Sequence, residues 1–271
     1  PHHFAEMPLD PALAAAAATR AETAVVVIGR AAGEARESIL EPGSYYLTDD
    51  ERAMLDAVTA AFEKVAVVLD AGNVMDLGWL EEYGDRIGAV LYAWQGGMEG
   101  VLAGETAPSG RLTDTIARSY ADYPSAPNFG DLLVGVYAED VFVGYRYFET
   151  FAPERVLFPF GFGLGYTTFE IDVVQQQTDA GVFRVVVEVR NTGAVHSGKD
   201  VVQVYVGAPI DARLAQPVKR LAAFAKTDEV APGQSQRLEL TFDLADFASY
   251  DDSGVTGHRS AYVLEPGEYP V

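Results

Sequence analysis

Three stretches of this chain set chargeable or aromatic side chains among glycines and small residues, where a ligand could approach closely. The first is Gly29-Arg-Ala-Ala-Gly-Glu34-Ala-Arg36-Glu37, which follows the apolar run 24–28. Glu34 has few bulky neighbours and so could reach toward another domain as a general acid or base. Arg30 and Arg36 lie near enough in sequence to tune its pKa. For an arbitrary glutamate, a solvated loop acid is the simpler reading. The second stretch is Asp70-Ala-Gly-Asn73-Val-Met-Asp76. The third is Ala93-Trp94-Gln-Gly-Gly97, whose glycine pair lets backbone come close while Trp94 offers an apolar platform for a sugar ring. A tryptophan that covers the end of a sheet explains that string equally well.

Other chemistries find little support. With Cys 0 there is no thiol nucleophile, iron–sulfur cluster or thiolate zinc site. No Gly-x-Ser-x-Gly elbow occurs, so a serine hydrolase is unsupported. Gly161-Phe-Gly-Leu-Gly165 lacks the Gly-x-Gly-x-x-Gly spacing of a nucleotide loop. His196 and His258 stand far apart without carboxylates at ligand spacing, which predicts no metal, and no cofactor is expected. A formal charge of −21 sets nucleic acid and anionic membrane aside as partners and is compatible with an uncharged substrate such as a sugar.

The elements that must position these loops follow from pattern. Asp10-Pro11 before an alanine run predicts an N-cap, a proline at the first position and a helix to about Arg20. Residues 24–28 form a continuous apolar strand of the kind buried on both faces, and 65–69 and 88–93 are two more strands. Thr48-Asp-Asp-Glu51 is a capping box opening a helix with Met54, Leu55, Val58 and Phe62 on one face. Another helix is expected after Gly97. Strands separated by helices predict an α/β fold, a mostly parallel sheet sandwiched by helices. In such a sheet ligands sit beyond the carboxyl ends of the strands, where all three stretches lie.

After about Tyr166 the texture changes. Residues 183–189, 200–206 and 236–242 alternate in the manner of half-buried strands, with Asn191-Thr-Gly193, Pro232-Gly233 and Pro266-Gly267 as turns between them. This predicts an all-β sandwich of the fibronectin type III kind, giving two domains, 1–166 and 167–271. Between them Tyr137-Ala-Glu-Asp-Val-Phe-Val-Gly-Tyr-Arg-Tyr-Phe148 and Pro159-Phe-Gly-Phe-Gly-Leu-Gly-Tyr166 crowd aromatics, glycines and Arg146 together without a helical or strand period. Beginning at Pro1 without Met, and stopping at Glu268-Tyr-Pro-Val271 where a last strand is starting, the chain reads as cut from something longer. No signal peptide is visible, and the compartment stays open.

In order along the chain, these strings resemble the non-barrel part of glycoside hydrolase family 3, the β-glucosidase-like group. The matching elements are Arg30-Ala-Ala-Gly-Glu34, Ser44-Tyr-Tyr-Leu-Thr48, Trp94-Gln-Gly-Gly-Met-Glu-Gly100, Pro108-Ser-Gly-Arg-Leu112, Tyr137-Ala-Glu-Asp140, Gly144-Tyr-Arg-Tyr-Phe148 and Pro159-Phe-Gly-Phe-Gly163. Gly198-Lys-Asp-Val-Val-Gln-Val-Tyr205 and Pro217-Val-Lys-Arg-Leu-Ala-Ala-Phe224 are similar to the fibronectin type III-like domain that accompanies it.

The resemblance implies a retaining, exo-acting β-glycosidase acting on a carbohydrate substrate, with the nucleophilic Asp on a TIM-barrel domain of the same protein. It makes Glu34 the general acid/base, and leaves Arg30, Arg36 and Trp94 as candidate substrate contacts. The chain contains no barrel and no nucleophile string, so it would hold half of a catalytic pair and be inactive by itself. The stretch after Gly-Glu is less acidic here than in many members, and Gly165 stands where Ser is more usual. A non-catalytic sugar-binding or scaffolding module is the rival reading.

Overall fold

The computed structural model describes residues 7–30, 39–94, 96, 98–130 and 133–271. They fall into two compact units, one running to Glu99 and taking in Ile116–Tyr120, the other comprising Gly100–Thr115 and Ala121–Val271.

In the first unit, helix α1 (Pro11–Ala18) starts as its sequence dictates. The Asp10 side chain accepts from the Ala12 N–H at 2.9 Å, and Pro11 fills a position whose N–H would have no helical partner. Helix α2 (Asp49–Ala61) opens with the expected capping box. The Thr48 hydroxyl accepts from the Glu51 N–H at 3.1 Å, and the Glu51 carboxylate accepts from the Thr48 N–H at 2.8 Å. Leu55 and Val58 are buried from its apolar face.

Strands β1 (Thr23–Arg30), β2 (Lys64–Ala71) and β3 (Ala89–Tyr92) form a parallel sheet in the order β1-β2-β3. Arg30 stands opposite Ala71, and Leu69 opposite Tyr92. The strands therefore end together, and the loops that follow them leave from one edge of the sheet. The expectation that β1 is buried on both faces is corrected. Val26 and Ile28 are buried, but Val25 and Val27 are 49% and 55% exposed, the alternation of a strand with one covered face. Helix α2 packs against β1 and β2. The remaining elements here are short, α3 (Leu80–Tyr83) and β4 (Ile116–Ala117), while the single-turn α4 (Glu99–Leu102) after the glycine pair runs on into residues of the second unit.

The second unit carries α5 (Tyr145–Phe151), β5 (Val156–Phe158) and an antiparallel sandwich. One sheet has the order β10-β7-β6, with β6 (Phe169–Asp179), β7 (Val182–Asn191) and β10 (Ser235–Asp243). The other pairs β8 (Val201–Val206) with β9 (Arg220–Lys226). Alternate residues of β7, β8 and β10 share one core: Val185, Val187 and Val189, Val202, Val204 and Val206, Leu240 and Phe242. Phe183 stacks on Phe242 with ring centroids 5.0 Å apart. A hairpin of β11 (Ser249–Asp251) and β12 (Ala261–Val263) follows. Its loop is gathered by the buried Asp251, which accepts from Ser253, Gly254, Val255 and Thr256. Burial opposes ionisation there, yet these donors outweigh it and hold the carboxyl far below the usual range.

The aromatic–glycine strings have a packing explanation. The Tyr145 hydroxyl accepts from the Leu221 N–H at 2.8 Å, and its ring lies 4.8 Å from that of Phe160 and 5.9 Å from that of Tyr205. Arg111 donates to the Gly163 carbonyl and to the Asp200 carboxylate. Three of the identifying strings thus meet on one guanidinium. Gly161 has φ +82, and a Cβ on it would collide with Gln203, while one on Gly163 would collide with the Gly110 carbonyl and Arg111. Close backbone approach, not ligand binding, accounts for the repeated glycines. No helix among the described residues is long and apolar enough to cross a membrane.

Candidate active site

Of the residues singled out from sequence, Glu34 and Arg36 lie outside the described residues. Arg30 is the last residue of β1 and precedes them in sequence. Its side chain is 6% exposed and forms a two-pronged ion pair with Glu51, whose side chain is 5% exposed, at 2.6 and 2.8 Å. The remaining N–H groups donate to backbone carbonyls: Nε to Ser44 at 3.0 Å, one terminal nitrogen to Gly29 at 2.8 Å and the other to Tyr46 at 3.2 Å. A guanidinium has five N–H donors in a fixed fork, and all are engaged. Every N–H of Arg30 thus has a partner within the chain, and three of these partners are backbone carbonyls.

What it holds is the turn that follows. The Ile39 N–H donates to the Ser44 hydroxyl at 3.0 Å, the Tyr45 N–H to the Ile39 carbonyl at 3.1 Å and the Tyr46 N–H to the Glu41 carbonyl at 3.2 Å. This turn is tied in its own right to the loop after β2, since the Asp76 N–H donates to the Tyr45 carbonyl at 2.9 Å. Burial pushes the Asp76 carboxyl upward, against the lowering effect of the Gly78 N–H. The Trp79 indole N–H donates to the Asp76 carbonyl at 2.9 Å.

The loop after β3 presents Trp94. It is 37% exposed, takes φ +50, and stacks on Tyr92 with centroids 4.2 Å apart and planes 27° off parallel. The Tyr92 hydroxyl donates to the Asn73 carbonyl at 2.5 Å, joining the loops after β2 and β3. An indole backed on one face and partly open has the geometry of a ring platform. Among the described residues no cluster of three or more His, Asp or Glu could hold a metal ion.

Sequence reasoning missed Glu51. It assigned that residue to a helix cap, which is correct but incomplete, because the same carboxylate neutralises Arg30. The available signal was a buried strand ending in arginine with an acidic first helical turn some twenty residues on.

Residues 8–166 match the family described as the glycosyl hydrolase family 3 C-terminal domain, and residues 200–271 match a fibronectin type III-like domain. A beta-glucosidase of Ruminococcus albus is 48% identical over 270 residues, covering 97% of this chain and 28% of its own length. Beta-glucosidase A of Butyrivibrio fibrisolvens is 38% identical, with 99% of this chain and 38% of its own covered. The crystal structure of a beta-glucosidase from Paenibacillus barengoltzii is 46% identical with a TM-score of 0.96, covering 99% of this chain and 30% of that one. Beta-glucosidase 3B of Thermotoga neapolitana, solved in complex with glucose, is 35% identical with a TM-score of 0.82 over 90% of this chain and 36% of its own. The chain thus spans less than two-fifths of the length of each of these relatives. With the family's C-terminal domain matched across more than half of its residues, the chain belongs to glycosyl hydrolase family 3.

Proposed function

We propose that this chain supplies the general acid/base of a retaining β-glycosidase, with Glu34 in that role and the nucleophilic carboxylate on a barrel domain of the same protein. The observation that carries the reading is the family match across residues 8–166, which takes in the Gly-Glu string directly after β1. Support also comes from the parallel sheet: β1 ends at Arg30, directly before that string in sequence, and α/β folds take their ligands beyond the carboxyl ends of their strands. The names of the relatives, all beta-glucosidases, favour terminal β-linked glucose as the substrate class.

In this mechanism the barrel carboxylate attacks the anomeric carbon while Glu34, protonated, gives its proton to the departing oxygen. A glycosyl–enzyme ester forms and the aglycone leaves. Glu34, now ionised, takes a proton from the incoming water as it displaces the ester. The two carboxyl groups of a retaining pair stand about 5–5.5 Å apart, so the barrel must close over this edge of the sheet. Arg36 and Trp94 are assigned to the sugar, the first to a hydroxyl and the second to a ring face. The domain division is assigned at 166/167.

The test is Glu34→Gln in the full-length protein. Hydrolysis of alkyl β-glucosides, whose leaving groups need protonation, is expected to fall about 10²–10⁴-fold. Dinitrophenyl β-glucoside, whose leaving group does not, is expected to lose far less in its glycosylation step. Equal losses on both would remove Glu34 from the acid role, and unchanged sugar binding without any turnover by the parent protein would favour a binding module.

A further inference from the structure

We propose that the Arg30–Glu51 pair is a positioning device for the catalytic acid, a role that rests on the assignment of Glu34 above. Arg30 directly precedes the stretch 31–38, and Ile39 directly follows it. One guanidinium engages both sides of that stretch. It donates to Gly29 before it, and to Ser44 and Tyr46 in the turn after it. Ile39 is fastened to the same turn through the Ser44 hydroxyl. The residues on either side of the string that carries Glu34 are therefore fixed by a single side chain.

Glu51 fixes the guanidinium in turn. Its carboxylate sits in the first turn of α2 and accepts from the Thr48 N–H as well as from two nitrogens of Arg30. The clasp is thus referenced to a helix packed on the sheet, not to another loop. Burial matters to its stiffness. With both side chains about 95% withdrawn from water, solvent offers no competing partners, and loss of either leaves an unpaired charge inside the protein. Lysine would keep the charge but not the fork: three donors on a flexible stem cannot span Glu51, Ser44 and Tyr46 together. For a group that must meet a glycosidic oxygen within hydrogen-bond reach, a displacement of about 1 Å costs on the order of 10²-fold in rate.

The experiment compares Arg30→Lys, Glu51→Gln and Ser44→Ala in the full-length protein, with Glu34→Gln as the reference. Ser44→Ala removes one hydroxyl and no charge, and keeps the comparison decisive should Arg30→Lys or Glu51→Gln fail to fold. Expected is a roughly 10- to 100-fold loss of kcat on alkyl β-glucosides, little change in KM, and a much smaller loss on dinitrophenyl β-glucoside. Ser44→Ala should show the mildest form of the same pattern. Amide exchange should quicken over residues 39–46 while the sandwich strands keep their protection. Equal loss on both substrates, no loss on either, or exchange that quickens throughout the first unit would each overturn the proposal. If Glu34→Gln shows no dependence on leaving group, the acid assignment falls. The exchange measurement then still decides whether Arg30 fixes the turn.

Discussion

At the scale of single residues, the polar groups of the first unit are bound into the framework more tightly than their types suggest. Arg30 is one case and Tyr83 another. Burial, then the hydrogen bond to Asp56 at 3.0 Å and the negative charge of that carboxylate, push the Tyr83 hydroxyl up to about 12. An unfolded tyrosine ionises near about 10. The fold therefore favours the neutral phenol, and the resulting stabilisation is complete below about pH 10 and disappears as the pH rises toward about 12. Tyr83→Phe should unfold with a shallower pH dependence across that window in urea titrations, at a neutral-pH cost of about 1 kcal/mol from the lost hydrogen bond. An unaltered slope would mean that another group carries the alkaline limb. Trp94 is the contrasting residue, left partly open with its other face supported by Tyr92.

Among elements, legibility from sequence tracked the range of the forces involved. The caps of α1 and α2 are settled within three or four residues, and Asp10, Pro11, Thr48 and Glu51 announced them. Strands β7, β8 and β10 showed themselves by alternation, because one face of each feeds a common core. Strand β6 did not. Its glutamines and acids give no alternation, and it exists because β7 offers a full antiparallel ladder along its edge. The clasp at Arg30 was hidden for the same reason, since its partners lie 14 to 21 residues away and only the folded sheet and helix bring them together. Glu34 and Arg36 were legible as candidates only through their string and its family resemblance, and their part stays a proposal. The glycine strings were read as identifiers, and packing supplies the reason for them. Gly163→Ala should force the Gly110 carbonyl and Arg111 to move, loosening the link to Asp200, and cost about 1–3 kcal/mol by urea unfolding. A change below about 0.5 kcal/mol would show that the contact relaxes freely.

For the whole molecule, the proposal that this chain holds half of a catalytic pair predicts a simple biochemical result. The chain alone, purified and folded by circular dichroism, should leave aryl β-glucosides untouched, while the full-length protein turns them over. Turnover by the chain alone would refute the two-domain active site. The open face of β1 has a colloidal consequence as well. β1 stands at the edge of its three-stranded sheet, and Val25 and Val27 are exposed beside it. Among the described residues no strand pairs with the outer side of β1, and an edge strand with exposed valines is a template for further strands, while a net charge of −21 keeps copies apart at low salt. Raising the ionic strength should screen that repulsion and bring on association of the isolated chain, seen as a rise in light scattering. Val27→Lys should delay it, and scattering that is indifferent to both salt and Val27 would locate the sticky surface elsewhere. The strand that leads into the Glu34 string would then also set how long the isolated chain keeps in solution.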